Sequence, residues 1–165
     1  MNIESFIWGI CDDVLRDHFK RHEYGDIILP FLVLRRLDCV LEERKDEIVK
    51  QYNEFKEHDD PMDIIHTKLK INFSNYSKYD LKRLTNEPSK LNENLFEYLR
   101  SFSPNVIEII ENFKLDKWIE DLEKNEILYQ LIEKFSEVDL HPSKVDNHTM
   151  GTIFEELLIK ANIKF

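Results

Sequence analysis

Apolar side chains recur at intervals of three and four residues along almost the whole chain, a spacing that predicts a mainly α protein. Phe6, Ile7, Ile10, Val14, Leu15 and Phe19 trace one face of a first helix, with Asn2 or Ser5 available to cap it and an end near His22-Glu23-Tyr24-Gly25. A second, longer helix is predicted from about Asp26 to about Lys56, continuing its apolar face through Leu37, Val40, Leu41, Ile48, Tyr52 and Phe55. Its first half, Ile27 to Leu34, is apolar all round, which places it inside a shell of other helices, with Pro30 in the first turn or producing a kink.

After the polar break Glu57-His58-Asp59-Asp60-Pro61 the periodicity weakens, and Met62 to about Tyr79 reads as irregular, with Lys70-Ile71-Asn72-Phe73-Ser74 alternating as a loop or short extended piece would. Short helices are predicted around Asp80–Leu84, from Ser89 to Phe102, and after Ser103-Pro104, where serine caps and proline takes the first helical position. Trp118, Ile119 and Leu122, then Leu128, Leu131, Ile132 and Phe135, fit two antiparallel helices that turn at Lys124-Asn125. A last helix follows His141-Pro142, capped by Ser143, Asp146 or Asn147, and buries Met150, Ile153, Phe154, Leu157 and Leu158. With no internal repeat, the pattern predicts a multi-helix bundle with an irregular middle segment, residues 1–165 forming one domain.

Length and composition agree with that: 165 residues, 42% hydrophobic and 34% charged, can bury a core, roughly 70% of the unfolded surface for a domain of this size. The longest apolar run is about half of what a bilayer crossing needs, and the first residues lack a basic signal-peptide start, so a cytoplasmic location without membrane contact is expected. Cys11 and Cys39 each sit within a helical apolar pattern and read as buried thiols. The net charge of −10 falls mostly in residues 101–165, which hold 7 basic against 13 acidic side chains. No segment is basic overall, so contact with DNA is expected to be local or supported by partners.

Glycine occurs only as Gly9, Gly25 and Gly151, and the five prolines never adjoin. A glycine-rich turn that admits S-adenosylmethionine is therefore missing, as is the Asn/Asp-Pro-Pro-aromatic loop with which amino-methylating enzymes hold a flipped base. The isolated chain is expected neither to bind that cofactor nor to methylate DNA. His18 and His22 stand four apart beside Glu23, a spacing that can hold a metal, but with no third ligand evident a solvated helix end is the simpler account. Arg35-Arg36 follows the most apolar stretch, where an unpaired charge is expensive; Arg35 with Asp38, and Arg36 with Glu43 or Asp12, are the expected pairs, and a phosphate or partner contact is the alternative. Lys20-Arg21-His22 and Lys82-Arg83 are the other compact basic clusters. The acidic pairs Asp12-Asp13, Glu42-Glu43 and Asp59-Asp60 are too few and too interleaved with basic residues to imitate a ladder of DNA phosphates.

Four ordered stretches carry a resemblance. Glu23-Tyr24-Gly25-Asp26-Ile27-Ile28-Leu29-Pro30-Phe31-Leu32-Val33-Leu34-Arg35-Arg36-Leu37-Asp38 resembles the YGxxILPFxVLRRLDxxLE segment of type I restriction-modification methylation subunits, and Asn147-His148-Thr149-Met150-Gly151-Thr152-Ile153-Phe154-Glu155-Glu156-Leu157 is similar to their MGxIFEEL helix. Phe102–Val106 and Glu133–Pro142 match in order between them, while Lys160 to Phe165 fits the family poorly. The resemblance implies the helical amino-terminal domain of such a subunit, with no counterpart in residues 1–165 of the catalytic S-adenosylmethionine domain, so no catalytic, cofactor or metal residue carries over. It implies adenine-specific methylation by the full enzyme, in which two methylation subunits join one specificity subunit, with a restriction subunit as a further candidate partner. Lys20, Arg21, Arg35, Arg36, Lys82 and Arg83 are then the candidate contacts to DNA or partners. The alternative is a free-standing helical regulatory or inhibitory protein that competes with full-length methylation subunits.

Overall fold

The computed structural model describes the backbone of residues 3–160 and the side chains of residues 3–153. Among these residues the protein is mainly α, as the apolar spacing requires, and its only extended pairing is an isolated antiparallel bridge between Asn75 and Phe102. The first helix, α1 (Ile3–Ile10), passes directly into a π-helical turn over Cys11–Leu15. It buries Ile7, Ile10, Cys11, Val14 and Leu15 as expected, whereas Phe19 lies beyond the helix and meets Trp118 edge-on at 6.1 Å between ring centroids. Ser5 lies inside α1, so it is not the cap, and Asn2 is outside the described residues.

The long second helix is two helices. A 3-10 turn at Arg21–Glu23 leads into α2 (Tyr24–Leu41), and another at Glu42–Arg44 separates it from α3 (Lys45–Phe55). The break follows the chemistry: α2 is enclosed by the main core, and Ile27, Phe31, Leu32 and Leu34 are at most 1% exposed. Leu41 and Ile48 belong instead to a second, smaller apolar cluster with Ile65. Pro30 is the seventh residue of α2, not in its first turn, and the carbonyl it cannot serve belongs to exposed Asp26.

The first part of the segment expected to be irregular, Met62 to Leu69, belongs to α4 (Pro61–Leu69), which packs on α3. Its start is well specified, since the Asp60 carboxylate accepts the Asp63 N–H at 3.2 Å and Pro61 occupies the first turn. Only the loop after Lys70 is irregular. Asp80 caps α5 (Leu81–Leu84) through the Arg83 N–H at 2.7 Å. Then come a 3-10 turn at Pro88–Lys90, α6 (Leu91–Arg100) and α7 (Pro104–Asn112). Ser103 does not cap α7 with its side chain; its hydroxyl accepts the Ser74 N–H and donates to Asn105, stitching the 74–75 loop to this helix start.

The amphipathic pair α8 (Leu115–Lys124) and α9 (Leu128–Ser136) turns over Asn125–Ile127, slightly later than predicted, with Glu126 at φ 59°. Phe135 of α9 stacks on Phe31 of α2 at 5.9 Å, locking the outer pair to the central helix. Finally α10 (Asn147–Lys160) starts at an Asp146 cap, whose carboxylate accepts the Thr149 N–H at 2.7 Å. Met150 and Ile153 are buried as expected; the side chains of Phe154, Leu157 and Leu158 are outside the described residues. Among the described residues no helix is long and apolar enough to cross a membrane.

Candidate functional site

Arg35 and Arg36 stand in the second half of α2, and neither takes the carboxylate partner expected of it. Arg35 Nε donates to the Val138 carbonyl at 2.8 Å. Arg36, only 8% exposed, donates through Nη1 to the carbonyls of Leu140 and Val145, each at 2.6 Å, and through Nη2 to Asn147 Oδ1 at 3.0 Å. The physical reason is supply: the segment between α9 and α10 has no helical ladder, so its inward carbonyls need donors, and a planar guanidinium offers several in one fork. The expected carboxylates are engaged elsewhere. Glu43 meets His141 Nε2 at 2.8 Å, and Asp12 lies in a separate cleft. The two arginines of one family-like stretch thus hold the segment that leads into the other.

Asp38 takes other partners, accepting the Tyr98 hydroxyl at 2.6 Å and the Leu81 N–H at 2.8 Å. Nearby, the buried Lys45 ammonium donates to Asn75 Oδ1 at 2.9 Å, and Asn75 Nδ2 donates to the Tyr98 carbonyl at 2.8 Å. Side chains from α2, α3 and α6 and the loop before α5 therefore meet in one polar network beneath the surface. Burial raises the Asp38 carboxyl from 3.8 to about 7, against the lowering pull of its two donors, and burial lowers the Lys45 ammonium to about 8.

Because the folded carboxyl holds its proton more tightly than the unfolded chain does, the stability tied to that proton is complete below pH 3.8 and is lost as the pH rises through about 7. Asp38→Asn should accordingly flatten the decline in melting midpoint over that interval. Parallel pH profiles for the two proteins would contradict the assignment. Sequence reading offered Asp38 only as an ion-pair partner and passed over Lys45, although Lys45 shares the apolar face of Leu41 and Ile48, which is the signal that finds it.

The two exposed basic clusters are separate. Lys20 and Arg21 lie where the chain turns into α2, and the Lys20 N–H donates to Glu23 Oε1 at 2.9 Å. Lys82 is exposed on α5, but its neighbour Arg83 is already committed to Asp46 at 3.2 Å and Asp80 at 3.7 Å. The α8–α9 hairpin links their surroundings, with His18 Nδ1 3.3 Å from Asn125 Oδ1 at its turn and the Tyr129 hydroxyl donating to the Thr85 carbonyl at 3.3 Å. Among the described residues no group of three or more metal-ligating side chains converges, and Cys11 and Cys39 are buried free thiols, with burial pushing Cys11 up to about 12.

Arg21 also lines a cleft of about 580 Å³ together with Trp8, Asp12, Arg16 and Tyr24. Sequence reading missed Arg16, yet Trp8, Asp12 and Arg16 are spaced by four, which was the available sign. With this geometry in view, a comparison with known families gives a match over residues 3–135 to the one described as the HsdM N-terminal domain. No curated protein and no solved structure matches the chain.

Proposed function

The chain belongs to the HsdM N-terminal domain family, the amino-terminal domain of the type I restriction-modification methylation subunit, and we propose that it serves there as a non-catalytic helical module that supports subunit assembly and DNA engagement. The observation that carries this reading is the family match over residues 3–135. The Arg35–Arg36 contacts extend its logic, because they couple the matched region to residues 138–147 and so to the start of α10. A rigid mounting of α10 on the helical body is what a module needs in order to transmit its docking to whatever α10 leads into. Its partners are then the specificity subunit, a second methylation subunit and, in the complete enzyme, the restriction subunit. Methyl transfer to adenine from S-adenosylmethionine belongs to the parent enzyme, which works in the cytoplasm.

DNA contact by this module is of the positioning kind. At a net charge of −10 it neutralises few phosphates by itself, so binding to bare duplex is weak. Beside a catalytic domain, Lys20, Arg21, Lys82 and Arg83 add phosphate contacts without reading sequence, and Arg83 contributes less because its ion pairs must first be given up. The test is a salt series on the assembled enzyme carrying Lys20/Arg21 or Lys82/Arg83 double alanine substitutions. Affinity should fall alike on all DNA sequences, with the salt dependence flattened by about one unit per lost contact. If both variants keep the wild-type slope and affinity, the clusters are solvated surface and the module works through subunit contacts alone.

A further inference from the structure

The cleft at the junction of α1 and α2 is assembled in a way that helix periodicity alone does not provide. Trp8, Asp12 and Arg16 follow one another at intervals of four, and an α-helix carries such residues about 40° further round its axis with every step. The π turn over Cys11–Leu15 is wider and reduces that drift, and all three side chains line the cleft. The chain then passes through a 3-10 turn at Arg21–Glu23, and Arg21 and Tyr24 complete the lining. Burial first, and then Cys11 and Asp12, raise the proton affinity of the Tyr24 phenol against the lowering pull of Arg16 and Arg21. Arg16 and Arg21 are exposed, and the cleft is of a size that holds small ligands.

From this arrangement we infer that the cleft binds a nucleoside phosphate, either a free nucleotide or a nucleotide within a single strand. The two guanidinium forks take the phosphate oxygens, a geometry that planar arginines match in pairs. Trp8, half-buried at the cleft, supplies the aromatic surface for the base, while Tyr24, only 7% exposed, offers no more than its edge. Asp12 selects between anions: it opposes a bare carboxylate or phosphate, but it accepts a hydrogen bond from a base amino group or a sugar hydroxyl. An acidic peptide would use the arginines and leave Asp12 repelling it, so the nucleotide is the better fit. In a chain of charge −10 this is a local cationic site, two arginines against one aspartate. The inference goes beyond the reading above and shares only Arg21 with it.

The experiment titrates the full chain with AMP, a deoxyadenosine oligomer, inorganic phosphate and a polyglutamate peptide, following binding by calorimetry and by tryptophan emission. AMP or the oligomer should bind saturably and more tightly than inorganic phosphate, and the tighter of the two identifies the source. Arg16→Ala/Arg21→Ala should weaken binding about tenfold or more while keeping the melting midpoint, because both side chains are exposed. Trp8→Phe should remove the change in emission while calorimetric binding persists. The inference is overturned by absence of saturable nucleotide binding, by binding indifferent to the double substitution, by phosphate binding as well as AMP, or by polyglutamate binding better. Because Arg21 is common to both readings, the Lys82/Arg83 arm of the salt series, which leaves the cleft intact, and Arg16→Ala, which leaves the basic clusters intact, keep the failure of one reading distinguishable from the failure of the other.

Discussion

Leu34→Ala is expected to lower the free energy of unfolding by about 2–5 kcal/mol, the range for removing a buried leucine side chain and leaving a cavity behind. Leu34 is 1% exposed on α2, within the core that joins α2 to the outer helices. Its surroundings favour the upper part of the range, because a helix enclosed by α5, α8, α9 and α10 has little freedom to collapse into the space. Against a total stability of about 5–15 kcal/mol for an ordinary domain, such a loss is large. A urea or thermal melt measures it, and Val33→Ala, at a half-buried neighbouring position, should cost less. An unchanged midpoint for Leu34→Ala would mean that the run from Ile27 to Leu34 is a docking surface and not the centre of the fold.

Arg36→Ala is expected to cost about 2–4 kcal/mol, since hydrogen bonds from a charged donor are each worth about 1.5–3 kcal/mol and do not add in full. The substitution removes one donor group and leaves the Leu140 and Val145 carbonyls and the Asn147 side chain without it. Arg36→Lys should recover only part, because one ammonium cannot reproduce a planar fork that spans three acceptors. The effect should be local before it is global. In hydrogen exchange, amides from 138 to 150 should lose protection ahead of those in α2, which remains packed on α9. Uniform loss of protection across the chain would show that Arg36 supports the core in general and not the mounting of α10.

The sequence was most legible where a single face of a single helix decides the outcome. The enclosed run Ile27–Leu34, the stripe through Trp118, Ile119 and Leu122, the buried cysteines and the Ser103-Pro104 helix start all follow from local spacing. It was less legible where two apolar faces fall in phase by chance. Leu37 to Phe55 keeps a helical period across the 3-10 turn at Glu42–Arg44, yet its two halves serve different clusters, which no periodicity reveals. Helix α4 was hidden because Ile65 is its one fully buried residue, although Asp60-Pro61 announced its start. The partners of Arg35, Arg36 and Asp38 lie 43 to 111 positions away along the chain, and all three side chains bind backbone groups, which carry no side-chain signature in the sequence. Sequence could say that these charges needed partners; it could not say which.

The claim that this domain works by joining other subunits is tested most directly by light scattering after size separation. The chain would be mixed with the specificity subunit and the full-length methylation subunit of its own type I enzyme, with and without DNA. The account predicts that the chain co-elutes with the assembly, and that an excess of it displaces part of the full-length methylation subunit, because both offer the same helical surfaces. If the chain elutes alone at every concentration while the assembly forms normally beside it, the domain makes no subunit contact of its own and the proposed function is wrong.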